Sequence, residues 1–266
     1  MLKKIILGFS FFIFISSFGQ VSKNKNQDAI VVEYLDSCAY KYNYVFQMTE
    51  WQNCIDEGLK KDSTIAYLWQ QKAMPYFKCR KYEVGMPFLD KAVLYDKKEW
   101  LPYRGFMKCI FSRSYKDAIK DLEESIKLYG NGYRMDHPYS FYIGLCYLQL
   151  NEYEKAEKLF DDYVNDIYKN RQQLEHPTAY FYQGIAKYEL KKWDEAIAIF
   201  DKALKIYPEF SDVKCYKAIC MLKQGKPKEE VTALMKEARE DAAKGFTINE
   251  DNTVYETYPY QIKWSK

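Results

Sequence analysis

The segment that decides the fold is 177–208, with the sequence PTAYFYQGIAKYELKKWDEAIAIFDKALKIYP. Pro177 fits the first turn of a helix, and Pro208 stops a helix that is already running. In the second half of the segment, large and small residues recur at steps of three, four and seven, which places them on one helix face. These residues are Trp193, Ala196, Phe200 and Ala203. Because Gly184 lets a second helix approach closely, the segment predicts an antiparallel helix pair.

The same pattern recurs along the chain. An aromatic residue is followed three positions later by a small one at Trp51/Cys54, Tyr82/Gly85, Tyr115/Ala118, Tyr153/Ala156 and Trp193/Ala196. A second small residue lies 12 or 13 positions earlier, at Ala73, Gly105, Gly144 and Gly184. A bulky residue lies four positions later, at Leu89, Leu122, Phe160 and Phe200. The aromatics are 31, 33, 38 and 40 residues apart, and this period predicts stacked helix pairs. The two long intervals predict longer connections around 130–136 and 165–175, the latter with an extended second helix.

These units resemble the tetratricopeptide repeat family. In 177–210, the residues that stand in the family's order are Tyr180, Gly184, Trp193, Ala196, Phe200, Ala203 and Pro208. The resemblance covers about 31–245 and implies an all-α, right-handed solenoid of antiparallel helix pairs, with about five repeats and a terminal helical cap over 211–245. The chain departs from the pattern at Tyr42, where a small residue is expected, and within the cap at Pro227 and Glu230.

The N-terminal residues read as a targeting signal. Lys3 and Lys4 precede an apolar run over 5–18, and small and polar residues follow. This order predicts a secretory signal peptide over 1–19 and a linker over 20–30. Since no cysteine lies near the end of the run, we expect a periplasmic or secreted protein rather than a lipoprotein. The alternative is an uncleaved helix that anchors the chain in the inner membrane, which would be its only membrane contact.

Composition and motifs argue against catalysis and nucleic-acid binding. A net charge of +3 in 266 residues lacks the basic field of a nucleic-acid-binding protein. The chain has no GxSxG, HExxH or phosphate-binding glycine loop. His137 and His176 each precede a proline, which indicates local turn chemistry at a helix start. We therefore expect no enzyme activity, cofactor, metal or small-molecule substrate.

Seven cysteines are spread along the chain without a CxxC or a metal-ligand spacing. They are Cys38, Cys54, Cys79, Cys109, Cys146, Cys215 and Cys220. The odd number leaves at least one unpaired within the chain. We interpret them mainly as buried thiols that pack like small hydrophobic residues, with one or more disulfides as the alternative.

The family resemblance implies a concave surface, lined by the first helix of each pair, that holds a partner peptide. The positions that would face this groove are apolar, and rings that belong to the repeat core are the alternative. They are Tyr67, Met74, Phe77, Phe106, Phe141, Leu145, Phe181, Ile185 and Tyr188. The cationic and amide residues with which some members grip terminal carboxylates are missing here. The sequence therefore predicts a partner site built on hydrophobic anchors, with aromatic rings as hot spots.

The segment 246–266 has no helical period but is rich in aromatic residues. Because it is too short to fold alone, we expect this irregular C-terminal tail to fold back. Tyr258, Tyr260 and Trp264 would then cover the last helices or part of the groove. Alternatively, the tail is a docking strand for another protein.

Together these features predict an exported adaptor or scaffold that binds a protein or peptide segment. The second interpretation is a permanent structural subunit of a bacterial cell-envelope assembly.

Overall fold

The computed structural model describes residues 25–169, 176–248 and 256–264. Within these ranges the chain is mostly helical. The helices are α1 (Lys25–Val31), α2 (Met48–Lys61), α3 (Ala66–Lys78), α4 (Tyr82–Tyr95), α5 (Lys97–Ile110), α6 (Tyr115–Tyr129), α7 (Tyr139–Gln149), α8 (Tyr153–Lys169), α9 (Pro177–Glu189), α10 (Trp193–Ile206), α11 (Ser211–Lys223) and α12 (Lys228–Ala243). A π-helical turn (Val32–Asp36) and a 3₁₀ turn (Ala39–Lys41) follow α1, and a short antiparallel hairpin, β1 (Tyr133–Arg134) and β2 (His137–Pro138), precedes α7.

The helices pack as adjacent antiparallel pairs: α3 with α4, α5 with α6, α7 with α8, α9 with α10, and α11 with α12. Each pair packs mainly on the pairs before and after it in sequence. This nearest-neighbour packing is that of a solenoid, and it confirms the predicted fold class. The terminal cap predicted over 211–245 is the pair α11–α12.

Glycines in the first helices hold the pairs together. A Cβ at Gly184 would lie 2.3 Å from the ring of Phe200, and one at Gly144 would lie 2.8 Å from the ring of Phe160. Gly105 stands in the same relation to Leu122, at 2.7 Å. These are the small and bulky positions that the repeat pattern singled out. The large residue of the second helix therefore packs directly against the backbone of the first helix at its glycine.

The turn within each pair places one residue in the left-handed region. Its φ is +58° to +71° at Arg80, Arg113, Asn151, Lys191 and Gly225. In four of the pairs, the next N–H donates to a carbonyl five residues back, as from Lys192 to Lys187 at 2.9 Å. This bond closes the C-terminus of a helix in the Schellman manner. The repeated turn therefore presents the side chains at its left-handed position at one edge of the solenoid.

The N-terminal unit is less regular than predicted. Residues 25–30, assigned above to a linker, lie in α1, because Ile30 is buried in a small core formed with α2 and α3. The first partner of α2 is not a continuous helix but α1 and the two short turns. Tyr42, too large for a close helix contact, packs at the edge of this core after the 3₁₀ turn. The predicted signal peptide, 1–19, lies outside the described residues.

The two long connections differ from each other. The first, around 130–136, contains the start of the hairpin, in which Tyr133 pairs with Pro138 and Arg134 with His137. In the second, α8 runs for 17 residues, as the predicted extended helix requires. The remainder of that connection, 170–175, lies outside the described residues.

The cysteines include both a disulfide and buried free thiols. Cys38 and Cys54 form a disulfide, with Cα atoms 5.8 Å apart, that ties the irregular N-terminal unit to α2. Cys109, Cys146, Cys215 and Cys220 are buried free thiols, and Cys79 is a half-buried one. Burial raises the pKa of Cys220 to about 12, so this thiol stays protonated at neutral pH. Among the described residues, no helix combines the length and the apolar character that crossing a bilayer requires.

Candidate partner-binding groove

We call the surface formed by the first helices, α3, α5, α7, α9 and α11, the inner face. Its two ends differ. At the N-terminal end, a cavity of about 310 Å³ opens between α3 and α5, beside the hairpin. At the C-terminal end, the segment 256–264 of the chain's own tail is held by α9 and α11, and from there it runs along the wall to the turns after α3 and α5.

The cavity is mostly apolar and aromatic, and three elements supply its wall. From α3 come Tyr67, Gln70, Gln71, Met74 and Lys78. From α5 and the residue after it come Glu99, Trp100, Tyr103, Phe106, Met107 and Phe111, and the hairpin adds Arg134 and Met135. The rings of Tyr67 and Trp100 are nearly parallel, with centroids 6.3 Å apart, and Tyr103 meets Trp100 edge-on at 5.6 Å. Rigid rings around an open space are the usual lining of a small binding pocket.

Polar groups line the edge of the cavity next to the hairpin. Arg134 donates to the backbone oxygen of Glu99 at 2.9 Å and to its carboxylate at 3.1 Å. The same guanidinium lies 5.5 Å above the ring of Tyr103, a cation–π contact. Burial raises the pKa of the Tyr103 phenol, which therefore stays protonated and able to donate. The buried Nε of Arg134 and indole N–H of Trp100 meet no acceptor among the described residues.

Asp212 pins the tail at the other end of the inner face. It lies at the start of α11 and is fully buried. One carboxylate oxygen accepts the N–H of Ile248 at 2.8 Å, and the other accepts the N–H of Ile262 at 2.7 Å. Burial raises the pKa of this carboxyl group, against the two N–H bonds, which lower it. A single side chain thus holds both the start of the tail and its far end.

Two tyrosines of the wall bond to the tail backbone. The hydroxyl of Tyr182, in α9, donates to the carbonyl of Pro259 at 2.8 Å. The hydroxyl of Tyr216, in α11, donates to the carbonyl of Tyr260 at 3.1 Å. Tyr258 is only 3% exposed and lies beside Cys109 and Ile110 at the end of α5. The tail is therefore seated by backbone bonds and by one buried ring.

Glu256 begins the seated segment between two turns of the solenoid. Its carboxylate lies 3.2 Å from Nε of Arg80 and 3.7 Å from the guanidinium of Arg113. It also accepts the hydroxyl hydrogen of Tyr82. Arg80 and Arg113 are the left-handed residues of two successive turns, so the repeat itself brings the two cations together.

Two matches to family models identify the chain. Both models are described as tetratricopeptide repeat; one matches residues 111–173 and the other 177–210. Residues 111–173 and 177–210 are tetratricopeptide repeats. No curated protein sequence matches it.

Solved structures share the fold of this tetratricopeptide repeat protein at low sequence identity. A tetratricopeptide repeat protein from Parabacteroides merdae aligns with a TM-score of 0.62 at 14% identity, over 82% of this chain and 80% of that one. PilW, a type IV pilus biogenesis factor, aligns with a TM-score of 0.56 at 14% identity, over 83% and 92%. YrrB, described as having an unusual peptide-binding site, aligns with a TM-score of 0.51 at 15% identity, over 71% and 92%.

Three of the nine predicted groove residues line the cavity: Tyr67, Met74 and Phe106. Five others are buried in the repeat core, and for these the groove assignment is wrong: Phe77, Phe141, Leu145, Phe181 and Ile185. Phe141, for example, stacks on His137 at 3.8 Å and meets Tyr182 edge-on. Tyr188 is half-buried and packs on Trp193 and Tyr216. The error has one cause: first helices are packed on both sides, so most of their rings face neighbouring helices.

The predicted tail residues lie at different depths. Tyr258 is buried, whereas Tyr260 and Trp264 are half-buried. Tyr260 packs against the ring of Tyr216 at 6.2 Å, and burial is the main cause that raises its pKa. The tail therefore reaches the inner face as well as the last helices.

Sequence reasoning missed the residues that hold the tail and the polar edge of the cavity. Trp100 and Tyr103 are three residues apart on α5, and this helical spacing could have revealed them. Arg134, Asp212 and Glu256 offer no such signal, because their partners lie 35 or more residues away. His176 behaves as predicted: its ring caps α9 by accepting the N–H of Thr178 at 3.3 Å.

Proposed function

We propose that this tetratricopeptide repeat protein is an exported adaptor that binds an extended segment of a partner protein on its inner face, with the cavity between α3 and α5 as the anchor pocket. The observation that carries the proposal is the open aromatic cavity beside the seated tail. The inner face already holds a segment of the chain's own tail by backbone bonds. The cavity between α3 and α5 lies on the same face and is built from the same repeats.

The pocket suits a large apolar or aromatic side chain. About 310 Å³ accommodates one such side chain, and its wall of rings and thioethers supplies contact area at little cost in conformational entropy. The buried donors of Trp100 and Arg134 add a preference for a nearby backbone carbonyl. A buried donor without an acceptor costs roughly 1–3 kcal/mol, so a bound chain that supplied one would be favoured. Binding of this kind is an equilibrium that needs no bond chemistry.

Two observations support export. The first is the sequence over 1–19, which has the order of a secretory signal peptide. The second is the Cys38–Cys54 disulfide, since disulfides persist in oxidising compartments such as the periplasm. YrrB, which shares the fold, has a peptide-binding site, and this supports the adaptor role.

A random library of extended peptides, displayed on phage and panned against the full chain, tests the proposal. We expect enriched peptides with a recurrent aromatic or large aliphatic residue. Met74→Trp should abolish their binding because the new indole fills the pocket, whereas Leu94→Ala, at an exposed position outside the pocket, should leave it unchanged. Both variants must keep the wild-type melting temperature. Enrichment that is insensitive to Met74→Trp, or no enrichment at all, would remove the proposal.

The tail favours a second function, a permanent subunit of a cell-envelope assembly. With residues 256–264 seated on the inner face, the convex side and edges would carry the contacts. Large apolar residues are exposed near the ends of α4 and α6, among them Leu94 at 66% and Leu128 at 49%. PilW, of the same fold, is a pilus biogenesis factor. A single stoichiometric partner that resists high salt and is released by Leu94→Asp, but not by Met74→Trp, would favour this function.

A further inference from the structure

We propose that residues 256–264 stand in for a partner, and that their seat on the inner face recognises a turn-forming segment carrying a carboxylate followed two and four positions later by tyrosines. This inference rests on the proposed function, because it treats the tail as a resident copy of what the groove binds. It goes further in naming the chemistry of the partner: an acidic residue, then Tyr-Pro-Tyr or a close equivalent.

The carboxylate site is built by the fold rather than by the tail. Arg80 and Arg113 stand at equivalent turns, and the phenol of Tyr82 lies beside them. The two arginine side chains are 63% and 54% exposed, whereas the Glu256 side chain is only 11% exposed. Two guanidinium groups therefore share one sunken carboxylate and keep most of their surface in water. A site with more cationic than anionic charge favours an acidic ligand.

The tyrosine positions are set by the wall. Tyr182 and Tyr216 donate to the carbonyls of Pro259 and Tyr260, bonds that a chain with the same turn could accept. The turn is closed by the N–H of Gln261, which donates to the carbonyl of Tyr258 at 3.2 Å, and Tyr260 has a φ of +62°. The side chain of Tyr258 enters the wall at the second position after Glu256 and is almost fully enclosed. Backbone bonds supply affinity and the enclosed ring supplies selectivity.

The seat is not completely filled. A space of about 170 Å³ remains between the tail and the ends of α5 and α7, lined by residues that include Arg113, Tyr115 and Gln149. The carboxylate site also lies next to the cavity between α3 and α5. The ring centroid of Tyr82 is 6.5 Å from that of Phe111, and Phe111 lines the cavity. A partner that occupied both would bury more surface than the tail does.

The probe is a fluorescently labelled peptide with the sequence of residues 256–264, ETYPYQIKW, titrated into the full chain. In the wild type, the tethered tail competes at a high effective concentration, so binding should be weak. Tyr258→Ala in the chain loosens the tail and should tighten peptide binding at least tenfold. Glu256→Gln serves as a second loosened variant, in case Tyr258→Ala lowers the helix content, and should tighten binding severalfold.

Two charge substitutions and one control substitution test the recognition of the carboxylate. In the Tyr258→Ala chain, Arg80→Gln with Arg113→Gln should weaken peptide binding about tenfold, as loss of a charge-assisted bond implies. Lys236→Gln, which removes an exposed charge from α12, should leave it unchanged. A peptide with Gln in place of its Glu should bind about tenfold more weakly than ETYPYQIKW to the Tyr258→Ala chain.

Equal peptide affinity for the wild type and the loosened chains, or affinity that ignores the Glu and the two arginines, would overturn the inference. So would a concentration-dependent wild-type dimer formed by tail exchange, because the seat would then belong to a second copy. If ETYPYQIKW failed to bind as expected while Met74-dependent peptides were still enriched from the library, the adaptor function would stand without this inference. If the library yielded no enriched peptide but ETYPYQIKW bound in a charge-dependent way, the inference would stand and the anchor pocket would be rejected.

Discussion

The two ends of the inner face are made from the same repeat but differ in what lies on them. At the C-terminal end, Asp212, Tyr182 and Tyr216 bond to the backbone of the tail. At the N-terminal end, the rings of Trp100 and Tyr103 surround open space. The helix pairs are fixed by the same glycine contacts in both halves, at Gly105 and at Gly184. The repeat therefore determines the scaffold, and a few polar side chains on it determine where the tail lies.

The largest expected effect is a difference in unfolding free energy between a variant in the wall beneath the tail and a variant in the wall of the cavity. Phe181→Ala should cost about 3–5 kcal/mol of unfolding free energy, because the ring is fully buried against Tyr182, Phe210 and Tyr216. Met74→Ala, at the half-buried cavity wall, should cost no more than about 1 kcal/mol. Urea denaturation of both variants measures the difference. Equal losses would show that the two halves are packed alike.

Asp212→Asn should release the tail. The asparagine amide offers one acceptor and one donor where two N–H groups need acceptors, so one bond is lost and a donor faces a donor. We expect a loss of about 2 kcal/mol and cleavage of the tail by a protease that leaves the wild type intact. Asp201→Asn, which removes a half-exposed partner of Lys217, is the matched control. Protease resistance that persists in Asp212→Asn would show that other contacts suffice.

The sequence was most informative where neighbours in space are neighbours in the repeat. Gly184 and Phe200 are 16 residues apart in one helix pair, so periodicity alone predicts their contact. It could not decide which rings of a first helix face the groove, since adjacent positions differ by about 100° and both flanks of the helix are packed. Phe141 and Phe181 were therefore placed in the groove although they are core. Likewise, no periodic pattern links Asp212 to Ile262, 50 residues away.

A smaller effect compares two phenols. Tyr182→Phe should cost about 1 kcal/mol, because its hydroxyl donates to the carbonyl of Pro259 inside the protein. Tyr103→Phe should cost less than about 0.5 kcal/mol, since its hydroxyl makes only long contacts, at 3.5 Å to Gln70 and 3.4 Å to the sulfur of Met74. Thermal unfolding resolves the difference. A larger loss for Tyr103→Phe would reverse the assignment of the anchored half.

The smallest expected effect is a pH dependence beneath the covered half. Burial raises the pKa of Glu157, but hydrogen bonds from Lys187 and Lys192 outweigh it and leave the pKa below its ordinary value. The ion pair therefore stabilises the fold fully above the unfolded pKa of 4.5, and this contribution is lost as the pH falls through the folded value. The Tm difference between the wild type and Glu157→Gln should accordingly shrink from pH 7 to pH 3. A difference that grows on acidification would contradict the direction of the shift.

The division of the inner face is tested most directly by hydrogen exchange of the Ile262 amide, measured by NMR on the full chain. This amide has no helix to protect it, and its bond to Asp212 exists only when the tail is seated. We predict exchange at least a hundredfold slower than that of an unprotected amide, with the protection lost in Asp212→Asn. Exchange of the wild-type Ile262 amide at the unprotected rate would contradict the account, because the tail would then not lie on the inner face.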